Sequence, residues 1–298
     1  MKYKSGFVTI VGRPNVGKST LMNKLIGEKI AIISNKPQTT RNIIRGVITL
    51  EDSQIIFLDT PGIHKPKSKL GKYMVNNARS TFGEVDVIIF LVEANNRPHQ
   101  GDLHVLEQLK KQKNPVFLGI NKIDLINKEI LFSLINEYTK EFSFEGCLPI
   151  SALNGDGVPL LMNEIKKILP EGPKYFPDDT LTDQPEKVIV SEIIREKILR
   201  SLDEEVPHGA GVEIISFKER IEKEILDIQA TIYCEKESHK GIIIGKQGKM
   251  LKKIGSLARH DIEKFLDIKV YLELWVKVKD DWRNSENMLK TLGYNKNS

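Results

Sequence analysis

The stretch Gly12-Arg13-Pro14-Asn15-Val16-Gly17-Lys18-Ser19 decides the fold of the first half of the chain. It lies between an apolar, strand-like run, Phe7 to Val11, and a helical stretch, Thr20 to Ile26. A strand, a glycine-bearing loop and a helix start in this order are typical of a phosphate loop, because backbone N–H groups converge on phosphate oxygens and the helix dipole adds positive potential. Gly12 to Thr20 are expected to bind the nucleotide, with Lys18 reaching the β/γ-phosphates and Ser19 ligating Mg²⁺.

A carboxylate is expected beside this loop. Asp59-Thr60-Pro61-Gly62 follows the apolar run Ile55 to Leu58, which places Asp59 at the carboxyl end of a sheet strand. Asp59 is the expected outer ligand of Mg²⁺, acting through water. The N–H of Gly62 is expected to face the γ-phosphate and to report its loss, because switch segments are ordered by phosphate and Mg²⁺ contacts.

Guanine recognition is predicted from Asn121-Lys122-Ile123-Asp124, which follows the buried-type run Val116 to Ile120. The Asp124 carboxylate can accept hydrogen bonds from N1–H and the exocyclic amine of guanine, a pattern that adenine lacks. Lys122 would lay its stem over the base, and Asn121 would tie this loop to the phosphate loop. Ser151-Ala152-Leu153, after the short strand Cys147 to Ile150, would supply a backbone N–H to the guanine carbonyl oxygen. We therefore expect GTP rather than ATP.

Residues that act in hydrolysis are less well determined by the sequence. The residues expected to act in catalysis are Lys18, Gly62 and Thr40. Thr40 is expected to close over Mg²⁺ and the γ-phosphate, and Thr39 is the alternative for this role. Other GTPases orient the attacking water with a glutamine just after the Asp-Thr-Pro-Gly motif, but this chain has Ile63 there. An apolar side chain cannot hold a water, so slow intrinsic hydrolysis is expected. No arginine finger can be assigned, and Arg41 or Arg45 would be guesses.

Length and composition set the outer bounds. The 298 residues exceed one ordinary domain, and the formal charge of +5 is too mild to argue for nucleic acid by itself. No apolar run approaches the roughly 20 residues that cross a bilayer, and the N-terminus lacks a signal-peptide pattern, so a cytoplasmic protein is expected. Cys147 and Cys234 lie far apart and are expected to be reduced thiols.

A domain boundary is readable near the middle of the chain. Strand and helix patterns alternate over residues 1–170, which predicts an α/β domain with a mostly parallel sheet and helices on both faces. Pro- and Asp-bearing residues 171–186 are expected to form a linker. Residues 187–298 follow a different pattern, helix, strand, strand, helix, helix, strand, and are expected to form an α+β domain.

The second domain contains a loop that resembles the GXXG loop of KH domains. Ile244-Gly245-Lys246-Gln247-Gly248 precedes a basic helix, and the element order is that of the bacterial, type II KH fold. In that module the glycines let the backbone approach nucleic acid closely and the polar pair contacts phosphates. Residues 236–260 hold seven Lys or Arg against one Glu, a local basic patch. The expected RNA-binding residues are Gly245, Lys246, Gln247, Gly248, Lys249, Lys252 and Lys253. Trp275 lies off the core face of the last strand and either stacks on a base or covers a neighbouring segment.

Taken together, the motifs resemble those of the Era-type GTPases of the TrmE/Era/EngA group. The resemblance also covers Gln38-Thr39-Thr40-Arg41, residues 191–197 and residues 272–279, and so extends over nearly the whole chain. It implies binding of 16S ribosomal RNA near its 3′ end, a role in assembly of the small (30S) ribosomal subunit, peripheral contact with the inner membrane face and a monomeric state. Asn15 stands where related potassium-activated GTPases bind a monovalent cation (K⁺), and capping of the loop is an equally good interpretation.

Two other functions remain open on the sequence alone. One is a GTP-regulated adaptor whose KH-like domain binds a protein or membrane partner rather than RNA. The other is a GTPase joined to an RNA-modifying catalytic domain. The second half of the chain offers no cysteine pair, metal-ligand spacing or acid–base pair for such catalysis, and its three histidines, His208, His239 and His260, are scattered.

Overall fold

The computed structural model describes residues 2–34, 36, 38–62, 66, 68–95, 97–220 and 224–294. The chain divides into two compact units. The first comprises Met1–Ala31, Thr40–Lys65 and Met74–Asp183, and the second comprises Ile32–Thr39, Pro66–Tyr73 and Gln184–Ser298. The second unit therefore includes two short segments from the first half of the sequence.

A six-stranded sheet forms the centre of the first unit, in the order β2-β3-β1-β4-β5-β6. Its strands are β1 (Lys4–Val11), β2 (Ile44–Thr49), β3 (Ser53–Asp59), β4 (Val87–Glu93), β5 (Val116–Asn121) and β6 (Gly146–Ile150). Only β2 runs antiparallel to its neighbour, and the other pairs are parallel. The carboxyl ends of the parallel strands consequently lie at one edge, which is where a ligand binds in such sheets.

Helices cover both faces of this sheet. They are α1 (Lys18–Ile26), α2 (Lys69–Ser80), α3 (Gln100–Leu109), α4 (Lys128–Glu141) and α5 (Val158–Ile168). Alternate residues of β4 enter different cores: Ile89 and Leu91 pack with α1 and α5, whereas Ile88 and Phe90 pack with α3 and α4. Burial on both faces explains why these strands read as continuous apolar runs in the sequence.

Residues 171–183, predicted to be part of a linker, pack against the first unit. The Gln54 side-chain oxygen accepts hydrogen bonds from the backbone N–H of Tyr175 at 2.7 Å and of Phe176 at 3.0 Å. The N–H of Val47 in β2 donates to the carbonyl of Leu181 at 2.8 Å. This segment is therefore held beside β2, the outermost strand of the sheet, and belongs structurally to the first unit.

The second unit contains a three-stranded sheet, in the order β7-β8-β9, with helices packed on it. Its elements are α6 (Glu186–Ser201), β7 (Gly211–Arg220), β8 (Ile225–Cys234), α7 (Glu237–Ile244), α8 (Lys249–Leu266), β9 (Lys269–Val278) and α9 (Glu286–Thr291). Strands β7 and β8 are antiparallel, and β8 and β9 are parallel. The predicted order of helix, strand, strand, helix, helix, strand is confirmed. The isoleucines before the GXXG loop lie in the last turn of α7, a helix that the sequence did not delimit.

Candidate functional site

The phosphate loop connects β1 to α1 at the carboxyl edge of the sheet. Gly17 precedes α1 with a φ of 101°, a left-handed conformation that glycine adopts without strain. A Cβ at this position would also lie 2.2 Å from Nδ2 of Asn121. The Lys18 ammonium donates to the carbonyls of Gly12 at 3.2 Å and Arg13 at 3.1 Å. The loop thus wraps around a buried ammonium group.

Three predicted metal-site side chains meet next to this loop. Ser19 Oγ donates to Asp59 Oδ2 at 2.7 Å, and Thr40 Oγ1 lies 2.9 Å from Ser19 Oγ and 3.1 Å from the same carboxylate oxygen. The Thr39 hydroxyl instead donates to the carbonyl of Lys36 at 2.6 Å. The geometry therefore favours Thr40 over Thr39 as the residue that faces the site.

The electrostatics of this cluster reflect its burial. Burial lowers the pKa of Lys18 to about 8, although the charge of Asp59 acts in the opposite direction. Burial likewise raises the pKa of Asp59, against the charge of Lys18 and the hydroxyls of Ser19 and Thr40. Asp59 is fully buried, and its Oδ1 has no hydrogen-bond partner among the residues that the structure describes. Titratable groups whose pKa values are shifted by burial and by a nearby charge cluster at functional sites, which supports a ligand-binding role for this cluster.

The Asp-Thr-Pro-Gly turn contacts both β1 and the phosphate loop. Thr60 donates its hydroxyl to the carbonyl of Ile10 at 2.9 Å. A Cβ on Gly62 would lie 2.8 Å from Cγ of Pro14, so this close approach requires glycine. Ile63 lies outside the described residues. Arg41 is buried, and Arg45 pairs with Asp183 at 2.6 Å.

Asn121 joins three motifs at the base side. Its Nδ2 donates to the carbonyl of Val16 at 2.7 Å, and its Oδ1 accepts from the N–H of Ala152 at 2.9 Å. Asp124 follows in a short 3₁₀ helix with an exposed side chain, and Leu153 is exposed beside the buried Ser151 and Ala152. The predicted base-binding loops are thus brought together by one amide side chain.

Glu93, the last residue of β4, lies beside the site, although none of the sequence motifs includes it. Its carboxylate binds Lys122 Nζ at 2.8 Å and the Arg13 guanidinium at 2.8 Å. Burial raises the pKa of Glu93, but the hydrogen bonds and charges of Lys122 and Arg13 outweigh this and hold it below its ordinary value. The rule that located Asp59, a carboxylate at the carboxyl end of an apolar strand, applies equally to Glu93.

In the second unit, the GXXG loop separates α7 from α8. Gly245, Gln247 and Gly248 all have left-handed φ values, of 71°, 52° and 73°. A Cβ on Gly245 would lie 2.7 Å from Cβ of Met250, whereas none of the atoms of the described chain comes within 4 Å of one on Gly248. The expected RNA-binding side chains Lys246, Gln247, Lys249, Lys252 and Lys253 lie at the surface around this loop.

A groove runs from the GXXG loop between α8 and β9. Its lining combines the apolar side chains of Leu251, Leu272 and Leu274 with those of Lys252, Arg259 and Tyr271. Trp275 is 55% exposed on β9, as predicted for a residue off the core face. Within the described ranges, no group of three or more His, Cys, Asp and Glu side chains is arranged to hold a metal ion. None of the described helices has the length and apolarity to span a bilayer.

Comparison with known proteins agrees with both units. Residues 7–122 match the family model described as 50S ribosome-binding GTPase, and residues 205–283 match that of the KH domain. The chain is 64% identical over 297 residues to GTPase Era of Ruminiclostridium cellulolyticum, covering 100% of this chain and 99% of that protein. It is 60% identical over 294 residues to GTPase Era of Alkaliphilus metalliredigens, covering 99% of this chain and 100% of that protein.

Two solved structures share the fold over nearly the whole chain. One is a variant of Aquifex aeolicus Era bound to GDP and AlF₄⁻, with a TM-score of 0.94. The other is Era in complex with MgGDPNP and nucleotides 1506–1542 of 16S ribosomal RNA, with a TM-score of 0.95. Each is 43% identical to this chain and covers 98% of it and 99% of the solved chain. The predicted fold, a phosphate-loop domain followed by a type II KH domain, is confirmed.

Proposed function

Because the chain belongs to the Era family of GTPases, we propose that it is a GTP-hydrolysing switch that binds 16S ribosomal RNA through its KH domain during small-subunit assembly. The observation that carries the GTPase part is the meeting of Ser19, Thr40 and Asp59 beside the buried Lys18 ammonium. The observation that carries the RNA part is the GXXG loop beside a groove whose lining includes Gly248 of this loop, apolar side chains and the basic Lys252 and Arg259.

The Ser19, Thr40 and Asp59 cluster fits Mg²⁺. Hydroxyl and carboxylate oxygens are the ligands that this ion prefers, and the buried Asp59 Oδ1 has no partner among the described side chains and backbone groups. Ser19 and Thr40 would bind the ion directly and Asp59 through water. When bound, Mg²⁺ neutralises charge on the β- and γ-phosphates. Lys18 would exchange its two carbonyl partners for phosphate oxygens, and the Gly62 N–H would face the γ-phosphate.

Guanine selectivity is assigned to Asp124, whose carboxylate would bind N1–H and the exocyclic amine of the base. Lys122 would cover the base with its stem, and the backbone of Ser151-Ala152-Leu153 would bind the guanine carbonyl oxygen. The two hydrogen bonds of Asn121 support this assignment, because they hold the base-side loops against the phosphate loop. Competition of labelled GDP by GTP, ATP and XTP tests it, and equal competition by ATP would contradict it.

Orientation of the attacking water needs a group other than Ile63. A monovalent cation held by Asn15 is proposed as this group, because Asn15 stands where related potassium-activated GTPases bind such a cation. Hydrolysis measured in KCl and in NaCl tests this role. Stimulation by K⁺ that disappears in Asn15→Ala supports it, and equal rates in both salts would leave Asn15 as a loop-capping residue.

The link between nucleotide and RNA is proposed to run through the segment that precedes Thr40. Within the second unit, Glu196 of α6 accepts from the N–H of Ile33 at 3.1 Å, and Arg195 donates to the carbonyl of Gln38 at 3.3 Å and to that of Thr39. Arg195 and Glu196 are both fully buried. Ordering of Thr40 by GTP and Mg²⁺ would therefore bias a segment that packs within the KH-containing unit, as a two-state switch requires.

Crosslinking to total RNA tests the RNA function. The wild-type protein with a GTP analogue should enrich the 3′ region of 16S ribosomal RNA, and the variant Lys246→Asp/Gln247→Asp should not. Absence of enrichment over the variant would make the KH domain a protein or membrane adaptor. Peripheral contact with the inner membrane face and a monomeric state are further proposals from the family, tested by vesicle flotation and by sedimentation.

A further inference from the structure

One carboxylate joins the phosphate loop to the base-side loop, and it has no part in the function proposed above. Glu93 is the last residue of β4 and lies opposite Asn121 in the parallel β4–β5 register. Its Oε2 accepts from the Arg13 guanidinium at 2.8 Å, and its Oε1 accepts from Lys122 Nζ at 2.8 Å. Because parallel strands end at the same sheet edge, the phosphate loop and the base-side loop come within reach of one side chain.

A second carboxylate holds Arg13 from the other side. Arg13 Nε donates to the Asp102 carboxylate at 3.3 Å, and the Tyr138 hydroxyl donates to the same carboxylate at 3.2 Å. Asp102 is buried, so its bonds are not exchanged freely with water. The Arg13 carbonyl in turn accepts from Lys18 at 3.1 Å. The orientation of Arg13 is therefore connected by direct hydrogen bonds to the ammonium group that is to meet the phosphates.

These contacts differ from ordinary surface ion pairs. The exposed fractions of the side chains are 23% for Glu93, 16% for Arg13 and 32% for Lys122. Partial burial reduces screening, and charge-assisted hydrogen bonds are roughly twice as strong as neutral ones. By comparison, Glu107 at the end of α3 pairs with Lys110, the residue just after this helix, at 2.6 Å, and the exposed fractions of the two side chains are 66% and 36%. An exposed helix pair of this kind contributes little.

We propose that Glu93 is a positioning residue for guanine nucleotides, holding Lys122 over the base and Arg13 in the phosphate loop in one fixed arrangement. The proposal rests on the proposed function, in which Lys122 and the phosphate loop bind the nucleotide. Glu93 acts through these two residues and does not itself touch the nucleotide. Its loss should speed nucleotide release rather than unfold the protein.

The test is the dissociation rate of a fluorescent GDP analogue from the full chain, chased with excess GDP in the presence of Mg²⁺. Glu93→Gln keeps the shape of the side chain and removes its charge. We expect release about tenfold faster than from the wild type, which corresponds to about 1.4 kcal/mol. The matched control is Glu107→Gln, which makes the same chemical change in the exposed pair and should release the analogue at the wild-type rate.

A double-mutant cycle separates positioning from a merely structural role. Lys122→Met removes the partner cation, and the double variant Glu93→Gln/Lys122→Met should release GDP no more than about twofold faster than Lys122→Met alone, because interacting residues are non-additive. The melting temperature of the nucleotide-free Glu93→Gln protein should stay within about 2 °C of the wild type. If Glu93→Gln does not fold, the cycle of Arg13→Met with Lys122→Met tests the same link.

The outcomes are distinct. Faster release with non-additive effects supports the proposal. Three results would overturn it while leaving the GTPase assignment intact. They are GDP release from Glu93→Gln at the wild-type rate, equally accelerated release from Glu107→Gln, and fully additive effects of Glu93→Gln and Lys122→Met on the release rate. If the wild-type protein itself does not retain GDP, the proposed function fails first.

Discussion

Replacing Asn121 by Ala should disconnect the base-side loops from the phosphate loop. The Asn121 side chain is buried and makes hydrogen bonds of 2.7 Å to the Val16 carbonyl and 2.9 Å to the Ala152 N–H. Each buried partner left unpaired costs about 1–3 kcal/mol. We take about 3 kcal/mol for the two together, because water can enter the space that the amide leaves. That corresponds to about a hundredfold in an equilibrium constant.

This cost should be divided between nucleotide affinity and folding stability. The assay is therefore twofold: GDP affinity by titration of a fluorescent analogue, and the free energy of unfolding of the nucleotide-free protein by urea denaturation. Asn136→Ala, at an exposed position of α4, is the control. If the losses in the two measurements sum to less than about 0.5 kcal/mol, the span of mutations that touch nothing important, the role assigned to this side chain is refuted.

Four further outcomes are expected. Lys18→Ala should abolish detectable GTP binding or hydrolysis in a filter-binding and phosphate-release assay, because the phosphates lose their buried counter-charge; retained hydrolysis would contradict the role of Lys18. Asp124→Asn should shift competition from guanine toward xanthine nucleotides, since an amide can donate to the C2 carbonyl of xanthine; unchanged GTP preference would exclude base reading by Asp124. Burial raises the pKa of Cys147 and of Cys234, so less thiolate is present at neutral pH. Labelling with iodoacetamide should therefore be slow at pH 7, accelerate as the pH rises and proceed first at the less buried Cys147. Fast labelling of Cys234 in the folded protein would contradict its burial. Arg195→Met should keep GDP affinity while reducing the difference in RNA affinity between the GTP-bound and GDP-bound protein, because it removes the hydrogen bonds to the Gln38 and Thr39 carbonyls. An undiminished difference would exclude coupling of nucleotide and RNA through the segment that precedes Thr40.

Much of the nucleotide site is predictable because its residues follow strands. A motif at the carboxyl end of a parallel strand has its position fixed by the sheet, which is why the sequence locates Asp59 and Asn121 beside the phosphate loop. The period-two pattern of the last strand similarly predicts that Trp275 is exposed.

Features that depend on contacts distant in sequence were not predictable in the same way. Gln54 is one polar residue in an apolar strand, and its bonds to Tyr175 and Phe176 appear only once the chain has folded. The packing of residues 32–39 and 66–73 within the second unit likewise depends on partners far away in the chain, such as Glu196 for Ile33. The predicted domain boundaries at residues 170 and 187 stay predictions. The packing of residues 171–183 with the first unit depends on contacts of this kind and was not expected of a linker.

The affinity of the full chain for an RNA that carries the 3′ end of 16S ribosomal RNA tests the proposed switch most directly. It should be measured with a non-hydrolysable GTP analogue, with GDP and without nucleotide, beside the variant Lys246→Asp/Gln247→Asp. We predict tightest binding with the GTP analogue and loss of binding in the variant under all three conditions. Equal affinity of the wild-type protein in all three conditions would contradict a GTP-controlled RNA switch.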